Sequence, residues 1–265
     1  MKASVIITLY KNLPFLDLIL QSLALQTEQN FEVIIAEDDN APETIPFLEK
    51  QREKYCFQIL HCSQDNIGFR KNAILNKAIL KANADYLIFI DGDTVLHSKF
   101  IAEHLKAAKP NQTLIGRRLM LSESITNLAL TKNDISVFTW KNFVTHKCKK
   151  LDCALYLPFL NSSRKEGIWG CNWSVNKNQI LAINGFDEDY TKAGVGEDTD
   201  IEWRLRESGS SFKSVKFKAV QYHLHHKVHY SNIEVDFNLE ILKRKKQEKN
   251  IICINGLQKE KHNKN

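Results

Sequence analysis

The chain predicts an α/β fold built on a mostly parallel sheet. Strand-like and helix-like segments alternate through the first half, as βαβ units require. The first strand-like segment, residues 4–9 (SVIITL), is apolar enough to be buried on both faces. Two acidic clusters, Glu37-Asp38-Asp39 and Asp91-Gly92-Asp93, stand where strands end. Ligands of such sheets sit at the carboxyl ends of strands.

Residues 12–26 read as the first helix, with Asn12 as its cap and Pro14 in its first turn. Residues 31–36 (FEVIIA) predict a second strand that ends in Glu37-Asp38-Asp39-Asn40. A helix over 43–54 and a strand near 57–62 follow. Residues 69–83 carry a helical stripe of Phe69, Ala73, Leu75, Ala78, Ile79 and Ala82. A strand over 86–90 (YLIFI) runs straight into Asp91-Gly92-Asp93, with a helix over 98–108 after it. Residues 113–120 predict another strand, and 122–165 show no clean period. A short helix over 178–183 stops at Gly185, and a second over 197–208 stops at Gly209. A strand over 212–222 then leads into a histidine cluster. There is no internal repeat and no low-complexity linker.

A length of 265 residues suits one large domain or two small ones. With 43% apolar and 26% charged residues, the composition is that of a soluble globular protein. No apolar run approaches the roughly 20 residues of a membrane span. MKASVIITLY lacks a signal-peptide layout, so secretion is not expected. None of Cys56, Cys62, Cys148, Cys153, Cys171 and Cys253 forms a CxxC pair, which predicts reduced cytosolic thiols rather than a zinc site. The net charge of +6 gathers in KRKK (Lys243 to Lys246) and the KEKHNKN end. Such a tail attracts an anionic membrane surface, or is simply solvated. It has no interleaved aromatics for base stacking, so nucleic acid is not an expected partner. GxGxxG and GxxxxGK[ST] are both absent, so no glycine cradle holds the ligand.

Four stretches carry chemistry. In Asp91-Gly92-Asp93 a glycine lets two carboxylates approach one point, where hard oxygens suit magnesium or manganese. The competing reading is a plain Asp-Gly hairpin turn. The buried strand before it, and the lack of a partner strand directly after it, favour the ion. Trp169-Gly170-Cys171-Asn172-Trp173 builds either an apolar wall for a sugar or an ordinary core patch. In GVGEDTDIEWRLRESG, two glycines introduce Glu197-Asp198 at a helix start. Asp198 there is either a cap or a general base on a glycine loop. Tyr222-His223-Leu224-His225-His226 offers a histidine to complete a metal site begun by Asp93. In an alternating strand His223 and His225 share a face, an argument that lapses if the strand has ended.

In order, SVIITLYKN, FEVIIAEDDNAPET, NIGFRKNAILNKAI and YLIFIDGDTVLHSKF resemble the N-terminal half of glycosyltransferase family 2, with its GT-A fold. NGFDEDYTKAGVGEDTDIEWRLRESG and HLHH resemble the galactosyltransferase-type region of bacterial polysaccharide and lipopolysaccharide glycosyltransferases. The likeness covers about residues 3–228. It implies one GT-A domain over 1–228, with a nucleotide-sugar half (1–120), an acceptor and catalytic half (121–228) and a basic extension (229–265).

The resemblance further implies an inverting transfer from a nucleotide-sugar, a UDP-sugar before a GDP-sugar, assisted by Mn2+ or Mg2+. Thr8 and Tyr10 would line the nucleotide pocket, and Asp38, assisted by Glu37, would hold base or ribose. Arg70 would lie near the nucleotide, a place Lys71 could share. Asp91 would meet ribose or metal, and Asp93 and His223 would ligate the metal. Trp169, Gly170, Asn172, Trp173 and Glu197 would border the sugar and acceptor, and Asp198 would be the base. The expected acceptor is a glycan or lipid-linked glycan of the bacterial surface. The expected location is the cytoplasm, with peripheral contact at the inner face of the membrane. One departure is visible: Glu37-Asp38-Asp39-Asn40 replaces the family's Asp-Asp-Gly-Ser type of turn. Two rivals are a nucleotidyltransferase, which would bring a glycine-rich basic loop that TLYKNLPF lacks, and a nucleotide-sugar- or glycan-binding module without turnover.

Overall fold

The computed structural model describes residues 1–162, 167–227 and 231–259. The first half follows the predicted alternation: β1 (Ala3–Leu9), α1 (Leu13–Ala24), β2 (Phe31–Glu37), α2 (Thr44–Lys54), β3 (Gln58–Ser63), α3 (Lys71–Lys81) and β4 (Tyr86–Asp91). Asn12 caps α1 by accepting the Phe15 N–H at 3.2 Å. Then come β5 (Thr94–Leu96), α4 (Phe100–Ala107), β6 (Gln112–Ile115), β7 (Leu119–Met120), α5 (Glu123–Lys132) and α6 (Trp140–Thr145). The remaining elements are β8 (Trp173–Asn176), α7 (Lys177–Ala182), α8 (Glu197–Glu207), β9 (Ser211–Ser214), β10 (Gln221–His223) and α9 (Asn232–Glu248).

A seven-stranded sheet runs in the order β3-β2-β1-β4-β8-β6-β9. Its β1 to β4 half is parallel, and β8 lies antiparallel between β4 and β6. Side chains alternate across the strands, so both faces are packed. Val5, Ile7, Ile88 and Ile90 join one core cluster, and Ile6, Leu87 and Phe89 the other. The mostly parallel α/β expectation therefore holds, because continuous apolar strands can be satisfied only by helices on both sides.

Four local expectations need correction. Residues 113–120 are two strands in different sheets, β6 and β7, because the chain turns at Gly116-Arg117-Arg118. Residues 212–222 likewise divide into β9 and β10. A strand does follow Asp91-Gly92-Asp93 directly, but β5 pairs with β10 in a small sheet of order β5-β10-β7 and not with β4. The acidic turn is thus a crossing between sheets rather than a hairpin. Finally, the KRKK run lies on α9, which has a Ser231–Glu234 capping box and buries Asn238, Leu242 and Lys245. Lys245 donates to Asp187, and to Asp189 at 2.6 Å, so this part of the tail is docked. The boundary at 228/229, residues 163–165 of the aperiodic stretch and residues 260–265 of the KEKHNKN end lie outside the described residues. Among the described residues no helix is long and apolar enough to cross a membrane.

Arg204 ties α8 into the body. It is fully buried, donates to the Ile183 and Gly185 carbonyls, and pairs with Asp200 at 2.7 Å. Removing one partner of a buried ion pair leaves an uncompensated charge. Arg204→Met should therefore cost about 3–5 kcal/mol in urea denaturation. A loss below about 1 kcal/mol would show that the pair does not anchor the helix.

Candidate active site at the carboxyl end of the sheet

Asp91 and Asp93 do not converge on one point. Asp91 accepts from Lys71 Nζ at 3.0 Å and from Thr8 Oγ1 at 3.3 Å. Asp93 Oδ2 faces His223 Nε2 at 3.2 Å and His226 Nε2 at 2.9 Å. The glycine between them is there for close approach: a Cβ on Gly92 would stand 2.2 Å from the Thr8 carbonyl oxygen. With no Cβ, the backbone packs against the end of β1 and sends the two carboxylates to different partners.

Asp93, His223 and His226 place one ligand atom each within 4.8 Å of one another. Asp93 Oδ1 and His223 Nδ1 are buried and have no hydrogen-bond partner among the described residues. Burial alone would raise the Asp93 pKa, but the two imidazoles hold it well below the usual carboxylate range. One carboxylate and two imidazoles make a donor set suited to a transition ion, so these residues fit a metal. β10 ends at His223, which lets the chain turn and bring His226 back beside it. His225 instead is exposed, and its backbone N–H donates to Thr126 Oγ1. Of the three histidines, 223 and 226 are the two grouped with Asp93.

Asp198 stands in the first turn of α8, opposite Lys71. The Gly170 N–H donates to its Oδ2 at 2.7 Å, and a Cβ on Gly170 would lie 2.9 Å from its Oδ1. Burial and then the charge of Glu197 push the Asp198 pKa up to about 7, against the pull of Lys71. Glu197 is buried, 3.8 Å from Lys71, and its Oε2 lacks a partner among the described residues. Burial would depress Lys71, but Asp91, Asp198 and Glu197 outweigh it and keep the ammonium charged far above neutral pH. Asp198 is therefore no plain cap. No capping bond starts α8, whose first residues follow Gly196. α9 reaches this loop from behind, where Asn238 Nδ2 donates to the Lys192 and Val195 carbonyls.

The other predicted residues divide. Thr8 and exposed Tyr10 stand at the carboxyl end of β1. Asp38 ties two loops together, accepting from Gln64 Nε2 at 2.6 Å and the Arg70 N–H at 3.0 Å. Arg70 opens α3 and donates through Nη2 to the Asp65 carbonyl. Glu37 is corrected to a structural role. It is buried, and its oxygens are taken by Thr44, the Ala41 N–H and His61 within its own fold. Asn172 and Trp173 are corrected likewise. Asn172 is fully buried and donates to the Arg117 and Ala219 carbonyls. Trp173 is 1% exposed and stacks on Phe89 at 4.2 Å, so the core-patch reading wins for these two. Gly170 remains beside Asp198, and Trp169 precedes it in the chain. Sequence reading gave Lys71 only a shared place near the nucleotide and missed Arg118, whose charge acts on Asp91 and Asp93. Lys71 had one signal, its place in NIGFRKNA at a helix start; Arg118 and Asn238 had none.

A raised acid pKa stabilises the fold while the group is protonated, and that contribution is lost as pH rises through about 7. Asp198→Asn should therefore raise the melting temperature at pH 8, with the gain shrinking toward pH 5.5. An equal effect at both pH values would refute the raised pKa.

The family model of "Glycosyl transferase family 2" matches residues 4–193. The chain is 26% identical over 185 residues to the cholesterol galactosyltransferase of Borreliella burgdorferi, covering 69% of this chain and 50% of that protein. It is 26% identical over 240 residues to the chondroitin synthase of Escherichia coli, covering 83% of this chain and 34% of that protein. It thus spans about half or less of the curated relatives it matches. Staphylococcus aureus TarS superposes with a TM-score of 0.63 at 16% identity, over 92% of this chain and 39% of that one. The mannosyltransferase PcManGT from Pyrobaculum calidifontis, solved with GDP-Man and Mn2+, gives 0.63 at 15% identity, over 93% of this chain and 64% of that one. These likenesses establish the GT-A fold.

Proposed function

The chain belongs to glycosyltransferase family 2, and on that premise we propose that it transfers a sugar from a nucleotide-diphosphate donor to a glycan hydroxyl, with inversion and with a divalent metal. The carrying observation is the convergence of Asp93, His223 and His226 with the raised-pKa Asp198 at one end of the sheet. TarS structures with UDP and UDP-GlcNAc, and the GDP-Man complex of PcManGT, support a nucleotide-sugar donor. A UDP-sugar is the first choice. Residues 1–120 would serve the donor and 121–228 the acceptor, with α9 bracing the catalytic loop.

Asp198 would accept the proton of the attacking hydroxyl. The Gly170 N–H and Lys71 hold its carboxylate in place, and a single displacement needs no second carboxylate nucleophile. Thr8 and Tyr10, at the carboxyl end of β1, would line the nucleotide pocket. A bound metal would neutralise charge on the departing diphosphate, held by Asp93, His223 and His226. Two imidazoles favour manganese over magnesium, which takes oxygen ligands. Exposed Ile233 and Phe237 on α9, with exposed Lys243 and Arg244 on the same helix, support a peripheral encounter with an anionic bilayer bearing a lipid-linked bacterial surface acceptor; co-sedimentation with anionic vesicles reads it.

A panel of UDP- and GDP-sugars with Mn2+ should yield nucleotide release that Asp198→Ala lowers by about 10³-fold or more, while UDP still binds. Binding with no turnover on any donor would leave a binding module instead. For the wild type, kcat/KM should fall about tenfold per pH unit below pH 7, because the base must be deprotonated. A profile flat to pH 5.5 removes Asp198 from that role. His226→Ala should weaken Mn2+ binding in calorimetry with UDP by about tenfold or more, and unchanged affinity would exclude the triad.

A further inference from the structure

We propose that His104 is a positioning residue for the metal group: through Asn172 it fixes both the backbone that leads into His223 and the turn that presents Arg118. This rests on the metal-dependent transfer proposed above. His104 lies on α4 and is fully buried, as are Asn172 and Ser174. Its Nε2 is 3.1 Å from Asn172 Oδ1, and its Nδ1 is 2.7 Å from Ser174 Oγ. Ser174 Oγ in turn meets the buried Tyr86 hydroxyl at 2.8 Å. Ser174 lies on β8 and Asn172 directly before it, so one imidazole spans both.

Every proton in this chain of hydrogen bonds has one place to go. Asn172 Nδ2 donates to the Arg117 and Ala219 carbonyls, both at 3.0 Å, and a carbonyl can only accept. The amide oxygen therefore faces His104 as an acceptor, which puts the imidazole proton on Nε2. Burial pushes the His104 pKa down to about 4, so at pH 7 the ring is neutral and Nδ1 is bare. Nδ1 then accepts from Ser174, and Ser174 accepts from Tyr86. The amide is also clamped in place: a Cβ on Gly116 would stand 2.2 Å from it.

The two carbonyls at the far end belong to the site's framework. That of Arg117 lies in the peptide joining Arg117 to Arg118, whose charge acts on Asp91, Asp93 and His226. Ala219 stands two residues before β10, which ends at His223. One amide thus holds segments 55 and 47 residues away from it in the chain. Without the Nε2–H, Asn172 Oδ1 is a buried acceptor that has lost its donor, and the amide no longer has one preferred orientation. Both carbonyls are then held less firmly, and with them His223 and Arg118. A histidine that only fills the core predicts a loss of stability and nothing more.

The test uses the full chain, well below its melting temperature. Nitrogen NMR of labelled imidazoles at pH 7 should show His104 protonated at Nε2 and bare at Nδ1; the opposite tautomer overturns the proposal. Mn2+ binding is then measured by calorimetry with UDP present. His104→Phe keeps a ring but removes both hydrogen bonds. It should weaken Mn2+ binding by about fivefold or more, while UDP affinity without metal is unchanged. His104→Gln, whose amide offers one donor and one acceptor, should recover most of that loss. Ile180→Ala, which opens a cavity in the other core cluster, should lower the melting temperature and leave Mn2+ affinity alone. If His104→Phe does not fold, Ser174→Ala, which removes the partner that keeps Nδ1 bare, should weaken Mn2+ binding by about twofold or more. Unchanged Mn2+ affinity in the folded variant overturns the proposal. So does His104→Gln as weak as His104→Phe, or an equal loss in Ile180→Ala. A wild type that binds no Mn2+ refutes the metal reading itself, whereas equal binding by wild type and His104→Phe refutes this inference alone.

Discussion

The ammonium of Lys71 is the constraint on which the site depends. It draws together Asp91 at the end of β4 and Glu197 and Asp198 at the start of α8. Two carboxylates about 4 Å apart repel by about 4 kcal/mol at an effective dielectric near 20. Three of them in one partly buried place require a counter-charge. Because Lys71 opens α3, that helix is joined by charge to the start of α8. Arg204 and Asp200 repeat the device one turn further along α8, in the core. Asn238 and Lys245 of α9 close it from the C-terminal side.

This arrangement separates two acidic functions that lie two residues apart in the chain. Asp91 is held by a lysine and belongs to the network that tunes Asp198. Asp93 is held by two imidazoles and belongs to the metal-competent group. Gly92 makes the separation possible because the chain must pass hard against the Thr8 carbonyl. The two-strand detour through β5 and β10 then carries His223 back to Asp93. The two groups are electrostatically distinct, which keeps Asp93 strongly acidic while Asp198 is pushed toward neutrality.

The parallel half of the sheet was legible in the sequence because its strands are apolar on both faces and its helices carry caps and period. β6 and β7 were read as one strand and β8 was missed, since strands of two to four residues carry too little pattern to delimit. Within the site, the residue types announced themselves at Asp93, Asp198 and the histidines. Burial did not: Trp169 and Trp173 share one motif, yet one is partly exposed and the other is core. Glu37 and Asp38 are neighbours, yet Glu37 is consumed by Thr44, Ala41 and His61. Glu37 ends β2 and Trp173 begins β8, while Asp38 and Trp169 lie just outside those strands, so the outcome depends on where each strand starts and stops.

By itself, then, the sequence determined the fold class and the set of chemically capable side chains, because hydrophobic periodicity and side-chain chemistry are local properties. Only the tertiary structure decided which of them meet. It paired His226 rather than His225 with His223, separated Asp91 from Asp93, set Lys71 among three carboxylates and joined His104 to Asn172. Each of those is a distance between segments far apart in the chain, and such distances are set by how sheets and loops pack, which no local pattern encodes.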